Sequence, residues 1–374
     1  MPHDTAKDTL FKPLKVGAVT LKNRIVMAPM TRSRADNPDK AATDLTATYY
    51  GQRAGAGLII TEGTQVSEGG QGYLYTPGIY SEPQTCAWKK VTDAVHAKGG
   101  LIAAQLWHVG RISHSSVLPK GLPPVAPSAI RANATTFALD ENGTPGQVPT
   151  DTPYELSAYR GIPTVVFEFA QAARNAIEAG FDMVELHGAN GYLLAQFLSP
   201  QTNIRTDQYG GTMENRARFV LEVINAVAAA IGPDRVGIRL SPWAPQFIND
   251  IDGTIEAEEM TLYLAAELQK RGIAYLHMAE WGENIYPDGF RQRLRDTYKG
   301  AIIYAGGYDQ AKAETLLEGG TADAVAFGVP FIANPDLPER FREGSEIAVP
   351  DKATFYGGEA EGYTDYPDRN GNAA

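Results

Sequence analysis

Short apolar runs alternate with longer helical patterns along almost the whole chain. Each run is rich in Val, Ile, Leu or Ala and is too short to form the core of a helix, so the pattern predicts buried parallel strands. Polar or small residues end each run. The eight runs cover residues 24–29, 58–63, 101–108, 183–188, 236–242, 274–280, 301–307 and 323–328.

Helical periodicity fills the intervals around these runs. Several of these segments end in a glycine, as at Gly99, Gly180 and Gly272, where a helix commonly stops. The predicted helices cover residues 43–56, 82–97, 157–179, 213–230, 256–271, 288–298, 309–318 and 335–343.

Eight strand–helix units in series predict an α/β fold, a single-domain (β/α)8 TIM barrel over residues 1–374. An open doubly wound sheet is the alternative, but it calls for a GxGxxG turn after the first strand. The first strand instead runs into Met30-Thr31-Arg32-Ser33-Arg34. The barrel is therefore the favoured architecture.

Two segments extend beyond a minimal barrel. Residues 109–156 form a long excursion after strand 3, rich in Pro, Ser, Thr and Asn. Because loops of that length are usually functional, we expect a lid or a pocket wall there. Residues 345–374 hold aromatic residues and glycines, and we expect this C-terminal tail to pack on the barrel.

Composition narrows the class of partner. A formal net charge of −11 argues against nucleic-acid binding, and no apolar run reaches the roughly 18 residues of a membrane span. The N-terminal residues lack the apolar stretch of a secretory signal. A single cysteine, Cys86, excludes intrachain disulfides and four-cysteine iron–sulfur ligation. We expect a cytoplasmic monomer or homodimer without a nucleic-acid or membrane partner.

The candidate chemistry lies where the fourth strand ends. His187 and Asn190 can both donate hydrogen bonds to one oxygen atom of a substrate, and Tyr192 can supply a proton nearby. An isolated HxxNxY pattern more often marks a core histidine and a turn asparagine. The ends of the other strands make the functional interpretation the better one, because they carry amide, indole and guanidinium groups, including Gln105, Trp107 and Arg239.

This set favours a flat heteroaromatic cofactor over hydrolysis. The chain has no GxSxG elbow, and His108 and His114 lack a nearby acid, so we expect no metal site. A phosphate is expected at the loops after the seventh and eighth strands, where Gly306, Gly307 and Gly328 let the backbone approach closely. Arg239 is either a structural ion-pair partner or a stabiliser of negative charge on a reduced ring.

Long motifs throughout the chain resemble the old yellow enzyme family, within its pentaerythritol tetranitrate, N-ethylmaleimide and morphinone reductase branch. The resemblance runs from about Leu10 to Pro367. The motifs that carry it are NRIVMAPMTRSRA (23–35), YYGQRAGAGLIITEGT (49–64), AQLWHVGRISH (104–114), PVAPSA (124–129), FDMVELHGANGYLLAQFLSP (181–200), NIRTDQYGGTMENRARF (203–219), ANPDLPERF (333–341) and GYTDYP (362–367).

The resemblance implies a barrel that binds FMN without a covalent bond and is reduced by NADPH or NADH. An electron-poor alkene or a nitro compound is then reduced in a second half-reaction. It implies that His187 and Asn190 hold the substrate oxygen, that hydride passes from flavin N5 to the β-carbon, and that Tyr192 protonates the α-carbon. The cofactor-binding residues that it implies are Pro29, Met30, Thr31, Gly63, Gln105, His187, Arg239, Gly306, Gly307, Gly328 and Val329. Trp107, Trp281 and Tyr356 would shape the substrate pocket.

Two departures from the family pattern affect these expectations. The family usually has an arginine after the glycine of strand eight, where it pairs with the FMN phosphate, but this chain has Val329. We therefore expect weaker FMN retention unless Arg32 or Lys312 compensates. The loop after the sixth strand is also shorter than in the branch, which leaves the placement of Trp281 open.

Three hypotheses follow from the sequence. The favoured one is an FMN-dependent ene reductase with nitrate-ester or nitroaromatic side activity. Flavin enzymes that add an iron–sulfur cluster and a nucleotide-binding domain are excluded by one cysteine and 374 residues. A barrel that has lost its flavin and serves as a binding protein is the third, and Val329 is the feature in its favour.

Overall fold

The computed structural model describes residues 9–243, 249, 256–280 and 285–372. Eight parallel strands close into a barrel in chain order, and the last of them pairs with the first. The barrel strands are β3 (Ile25–Met27), β4 (Leu58–Gln65), β5 (Ile102–Trp107), β10 (Met183–Gly188), β11 (Val236–Leu240), β12 (Tyr275–Ala279), β13 (Ala301–Ala305) and β14 (Ala324–Phe327). Each lies within or overlaps one of the eight predicted runs, and the predicted (β/α)8 barrel is confirmed.

Helices surround this barrel and connect its strands. They are α1 (Asp44–Gln52), α2 (Glu82–His96), α3 (Gly161–Glu178), α4 (Leu193–Leu198), α5 (Met213–Ile231), α6 (Ala257–Arg271), α7 (Phe290–Thr297), α8 (Gln310–Glu318), α9 (Val329–Ala333) and α10 (Leu337–Glu343). Eight of them match predicted helices, whereas the short helices α4 and α9 were missed. No helix in the described part of the chain combines the length and hydrophobicity needed to cross a bilayer.

The core has two main layers, which follow from the period-2 alternation of strand side chains. One layer fills the space between the barrel and its helices, with Ile59, Val184 and Ile238 among its members. The other contains alternate strand residues such as Leu58 and Met183 and fills the interior of the barrel. An N-terminal hairpin of β1 (Leu14–Val16) and β2 (Val19–Leu21) packs against this inner layer.

The excursion after β5 has secondary structure of its own. Strand β6 (Val125–Ala126) pairs in parallel with β9 (Tyr154–Glu155), and β7 (Thr135–Leu139) pairs with β8 (Pro145–Pro149) in an antiparallel hairpin. Phe137 and Gln147 face each other across this hairpin. Composition alone did not reveal these strands, because their apolar positions are few and alternate with exposed ones.

The tail beyond residue 345 is held by arginines of the chain that follows β3. Arg32 donates hydrogen bonds to the carbonyl oxygens of Phe355 and Gly362, each at 2.9 Å. The ring of Tyr363 is fully buried and stacks on Tyr49, with 4.2 Å between the ring centroids. The described part of the tail is therefore bound to the barrel through both polar and apolar contacts.

Candidate active site

The polar side chains of the barrel interior gather toward the carboxyl ends of the strands. Ala103 and Met183 belong to the inner apolar layer, and two residues further along the same strands the side chains are Gln105 and Glu185. Because alternate residues of a strand face the same side, these polar groups stand directly above the apolar layer. The other polar or aromatic members of this group are Trp107, His187, Arg239 and His277.

His187 is held as a neutral imidazole. Its Nδ1 accepts a hydrogen bond from the backbone N–H of Ala189 at 3.4 Å, so in the neutral ring the proton resides on Nε2. Burial, with smaller contributions from Arg239 and His277, holds the pKa of His187 well below its ordinary range. The ring can therefore donate one hydrogen bond from Nε2 without carrying a charge.

Asn190 lies in a turn that its own backbone makes possible. Its φ is +57°, in the left-handed region that asparagine tolerates better than most residues. Its backbone N–H donates to the hydroxyl of Ser241 at 2.7 Å, and its carbonyl oxygen accepts from the side-chain amide of Asn249. These bonds fix the conformation of the turn that connects His187 to Tyr192.

Tyr192 belongs to an aromatic cluster with three other rings. Its ring centroid is 4.9 Å from Trp107 and 5.0 Å from His187, both in edge-on contact. Its hydroxyl lies 3.1 Å from that of Tyr73. Burial raises the pKa of Tyr192, so the phenol stays protonated at neutral pH. The cluster thus places a protonated hydroxyl beside the neutral imidazole.

A cavity of about 560 Å³ opens onto this cluster. Four residues that the sequence analysis assigned to the site line it, namely Thr31, Trp107, Tyr192 and Tyr356. The sequence analysis did not assign the remaining lining residues, which are Ser33, Tyr73, Tyr75, Phe137, Gln147 and Gly357. Phe137 and Gln147 come from the β7–β8 hairpin, so the excursion supplies part of the cavity wall.

Gly63 lies at an irregularity in the pairing of β4 with β5 and allows Trp107 to pack closely. The register shifts between Ile60 and Gly63, which marks a bulge next to the site. A Cβ at Gly63 would lie 2.3 Å from an atom of the Trp107 indole. Glycine is therefore required here to seat the indole at the cavity.

The residues predicted after β3 and β14 adjoin one another. A Cβ at Gly328 would lie 3.5 Å from the sulfur of Met30 and 3.9 Å from the Cβ of Ala28. Pro29 and Met30 are half-buried, and Val329, the first residue of α9, is 51% exposed. Val329 therefore offers a site where a longer side chain could be accommodated without repacking the core.

The two positions after β13, Gly306 and Gly307, each favour glycine, but for different reasons. A Cβ at Gly306 would lie 2.7 Å from that of Glu280, whereas Gly307 has a φ of +75° and open space where its side chain would be. Both glycines line a second cavity of about 580 Å³ together with Lys312 and Arg291. Two cations therefore adjoin the glycine pair, and one of them, Arg291, donates a hydrogen bond to the carboxylate of Glu280.

Arg32 was one of two cations expected to compensate for the missing arginine at position 329, and in the structure it holds the C-terminal tail. The Arg32 guanidinium lies 5.1 Å from the ring centroids of Tyr49 and Tyr363 and donates to tail carbonyls. It is 1% exposed. Trp281, also predicted at the substrate pocket, lies outside the described residues.

Three nitrogen atoms around the site are buried and have no hydrogen-bond partner among the described residues. They are the indole Nε1 of Trp107, the Nε of Arg239 and the Nε2 of His277. Buried polar atoms in folded proteins are normally satisfied, so unpartnered atoms in one place indicate a ligand-binding site. Arg239 and His277 are also register partners on neighbouring strands.

Comparisons with known proteins show the family to which the chain belongs. The sequence model of the NADH:flavin oxidoreductase / NADH oxidase family matches residues 9–347. The chain is 44% identical to a putative 12-oxophytodienoate reductase 11 of Oryza sativa subsp. japonica, covering 96% of this chain and 97% of that protein. It is 41% identical to 12-oxophytodienoate reductase 2 of Arabidopsis thaliana, covering 96% and 95%.

Solved structures extend the likeness to three dimensions. The structure of morphinone reductase in complex with tetrahydroNAD is 55% identical, with a TM-score of 0.92, and covers 96% of this chain and 97% of that chain. The old yellow enzyme homologue from Zymomonas mobilis is 42% identical, with a TM-score of 0.90, and covers 96% and 99%.

Proposed function

We propose that this chain, which belongs to the NADH:flavin oxidoreductase / NADH oxidase family, reduces the C=C bond of activated alkenes. Members of this family are FMN-dependent oxidoreductases of the old yellow enzyme type and use a nicotinamide as the reductant. The substrates proposed are enones, enals, maleimides and nitroalkenes, with nitrate esters and nitroaromatics as further acceptors. The observation that carries the proposal is the contact between the rings of His187, whose imidazole is neutral, and Tyr192, whose hydroxyl group is protonated.

The residues present fit a flavin. The unpartnered nitrogens of Trp107, Arg239 and His277 offer hydrogen-bonding groups inside the barrel mouth. Gly307 and Gly328 leave room beside the backbone where a phosphate group would approach. In the proposed site Thr31, Gln105 and Arg239 bind the ring, with Pro29, Met30 and Gly63 beside it, and the loops around Gly306, Gly307, Gly328 and Val329 take the phosphate.

When bound, FMN supplies the hydride that it has taken from the nicotinamide. His187 donates from Nε2 to the carbonyl or nitro oxygen of the substrate, and the amide of Asn190 donates to the same oxygen. Two donors aimed at one oxygen stabilise the negative charge that develops there, as an oxyanion hole does. This polarisation makes the β-carbon of the alkene electrophilic.

Tyr192 is the proposed general acid. Its hydroxyl proton passes to the α-carbon of the substrate, and Tyr73 donates a hydrogen bond to the phenolate oxygen that remains. Trp107 and Tyr356 shape the pocket, and Phe137 and Gln147 of the excursion form part of its wall.

The test is conversion of 2-cyclohexenone to cyclohexanone with NADH or NADPH, measured by product analysis. We expect turnover by the wild type, a loss of about a hundredfold for His187→Ala, and a comparable loss for Tyr192→Phe. Equal turnover by all three proteins would show that neither residue acts in the reaction.

A further inference from the structure

A buried carboxylate that the proposed reaction does not use lies beneath the active site. Glu185 is fully buried on β10, between Gln105 on β5 and Gly237 on β11 in the strand register. The side-chain amide of Gln105 donates to its Oε1 at 2.8 Å, and Nδ1 of His277 contacts its Oε2 at 2.8 Å. Each carboxylate oxygen thus has a partner on a different strand, Gln105 on the adjacent β5 and His277 on β12, which is separated from β10 by β11.

Stability does not account for this carboxylate. Removing a charged group from water is costly, and replacing buried ionic groups by apolar residues of similar volume is often neutral or stabilising. Ala103 and Met183 of the inner apolar layer lie two residues before Gln105 and Glu185 on the same strands. Apolar side chains at the next inward-facing positions could continue this layer. A buried carboxyl group with a polar side-chain partner at each oxygen therefore points to a role in the site above it.

An ionised carboxylate accepts hydrogen bonds and cannot donate them. The end of the Gln105 amide that meets Glu185 must therefore be its NH2 group, so the position of Oε1 is determined as well. The same reasoning gives His277 its proton on Nδ1. Arg239, two strand positions above Gly237, is the cation nearest in the register that balances the negative charge.

We propose that Glu185 is a positioning residue that sets the direction of the Gln105 amide. The side-chain oxygen of Gln105 then accepts a hydrogen bond from an N–H group of the cofactor ring. The inference rests on the proposed function, in which Gln105 binds the flavin. The imide N3–H of the flavin ring is the donor of matching chemistry. Without Glu185 the amide can turn over and present its NH2 group to that N–H.

The experiment uses the holoenzyme and two readouts that do not depend on turnover. One is the dissociation of FMN on dilution, followed by the fluorescence of the released flavin. The other is the pH at which the N3–H of the bound oxidised flavin ionises, followed by its visible spectrum. An oxygen acceptor at N3–H stabilises the protonated form, whereas an amide donor stabilises the ionised form.

Glu185→Gln is expected to raise the Kd for FMN about tenfold, equivalent to about 1.4 kcal/mol, and to lower the pH of N3–H ionisation. Glu314→Gln is the matched control, because Glu314 is also buried but accepts the backbone N–H of Leu10 at 3.2 Å. It should leave both readouts unchanged. If Glu185→Gln folds poorly, Glu185→Asp takes its place. It keeps a carboxylate on a shorter side chain and is expected to give values between those of the wild type and those expected for Glu185→Gln.

A double variant separates a positioning role from a general loss of packing. If Glu185 acts through the amide, adding Glu185→Gln to Gln105→Met should change neither readout further. Wild-type Kd and ionisation in Glu185→Gln would overturn the inference while leaving the proposed function intact. A wild-type protein that binds no FMN would instead overturn the assignment of the flavin site itself.

Discussion

The hydroxyl groups of Tyr73 and Tyr192 lie 3.1 Å apart at the wall of the cavity. The Tyr73 ring also stacks on Trp107, with 5.6 Å between the centroids and 17° between the planes. The proposed general acid therefore has a fixed hydrogen-bonding partner, which comes from the loop after β4. This contact lowers the pKa of Tyr192 against the larger upward effect of burial.

Tyr73→Phe is expected to slow reoxidation of the reduced enzyme by 2-cyclohexenone roughly two- to tenfold. A lost hydrogen bond of about 0.5–1.5 kcal/mol makes Tyr192 a weaker acid by the corresponding factor. Stopped-flow spectroscopy of each half-reaction provides the measurement, and reduction by the nicotinamide should be unchanged. Tyr75→Phe is the control, because Tyr75 lines the same cavity. Equal effects of both variants would contradict a specific role for Tyr73.

Arg34→Met is expected to raise the KM for bulky enones while changing kcat little. Arg34 donates to the carbonyl oxygens of Thr354 at 3.0 Å and Glu359 at 3.2 Å, on either side of Tyr356. Its loss should loosen the segment that places Tyr356 at the cavity. Arg369→Met removes another tail arginine, whose partners are Asp336 and Glu343, and steady-state kinetics should show no change for it.

Glu62→Gln is expected to change the pH dependence of stability. Burial raises the pKa of Glu62 to about 7, so the folded protein keeps its proton above pH 4.5 while the unfolded chain releases it. The free energy of unfolding of the wild type therefore receives from Glu62 a contribution that falls by up to about 1.4 kcal/mol per pH unit between 4.5 and 7.

Glutamine keeps an oxygen that can accept the backbone N–H of Arg32, which the Glu62 carboxyl accepts at 3.2 Å. Urea unfolding at a fixed FMN concentration, at pH 5, 6 and 7, measures the effect. The difference in unfolding free energy between Glu62→Gln and the wild type should grow in favour of the variant as pH rises. A difference that does not vary with pH would show that the carboxyl titrates at its ordinary pKa.

Val329→Arg is expected to tighten FMN binding roughly tenfold or more. A charge-assisted hydrogen bond to a phosphate is worth about 1.5–3 kcal/mol, and Val329 is exposed enough to accept a long side chain. Val329→Gln has a long side chain without the charge and is the matched control. Loss of flavin during gel filtration measures retention. If Val329→Arg retains FMN no better than Val329→Gln and the wild type, position 329 does not face the phosphate.

The architecture follows from the sequence because eight short apolar runs alternate with helical segments along the chain. Buried parallel strands such as Ala324–Phe327 carry apolar side chains on both faces, and glycines end several of the helices between the strands. Short elements were missed where this signal is absent. Helix α9 has five residues, and only three of the ten strand positions in the β7–β8 hairpin are buried.

From strand positions alone, the candidate site was predictable where its residues follow the strand ends, whereas Tyr356 in the tail was assigned through the family resemblance. Thr31, Trp107 and Tyr192 lie there, and the structure brings them to one cavity. Tyr73 reaches it from the loop after β4 and Phe137 from the β7–β8 hairpin, so the periodicity of the barrel strands could not assign them. The partnership of Glu185 with His277 joins positions 92 residues apart, and it depends on the barrel register rather than on local spacing.

The most direct test of the account is an anaerobic visible spectrum of the purified protein, recorded after stoichiometric NADH or NADPH and again after 2-cyclohexenone. The account predicts loss of the oxidised flavin band, its return with the enone, and a return slowed about a hundredfold in Tyr192→Phe while the first step is unchanged. A flavin that is reduced but never reoxidised by the enone would contradict the proposed role of His187, Asn190 and Tyr192.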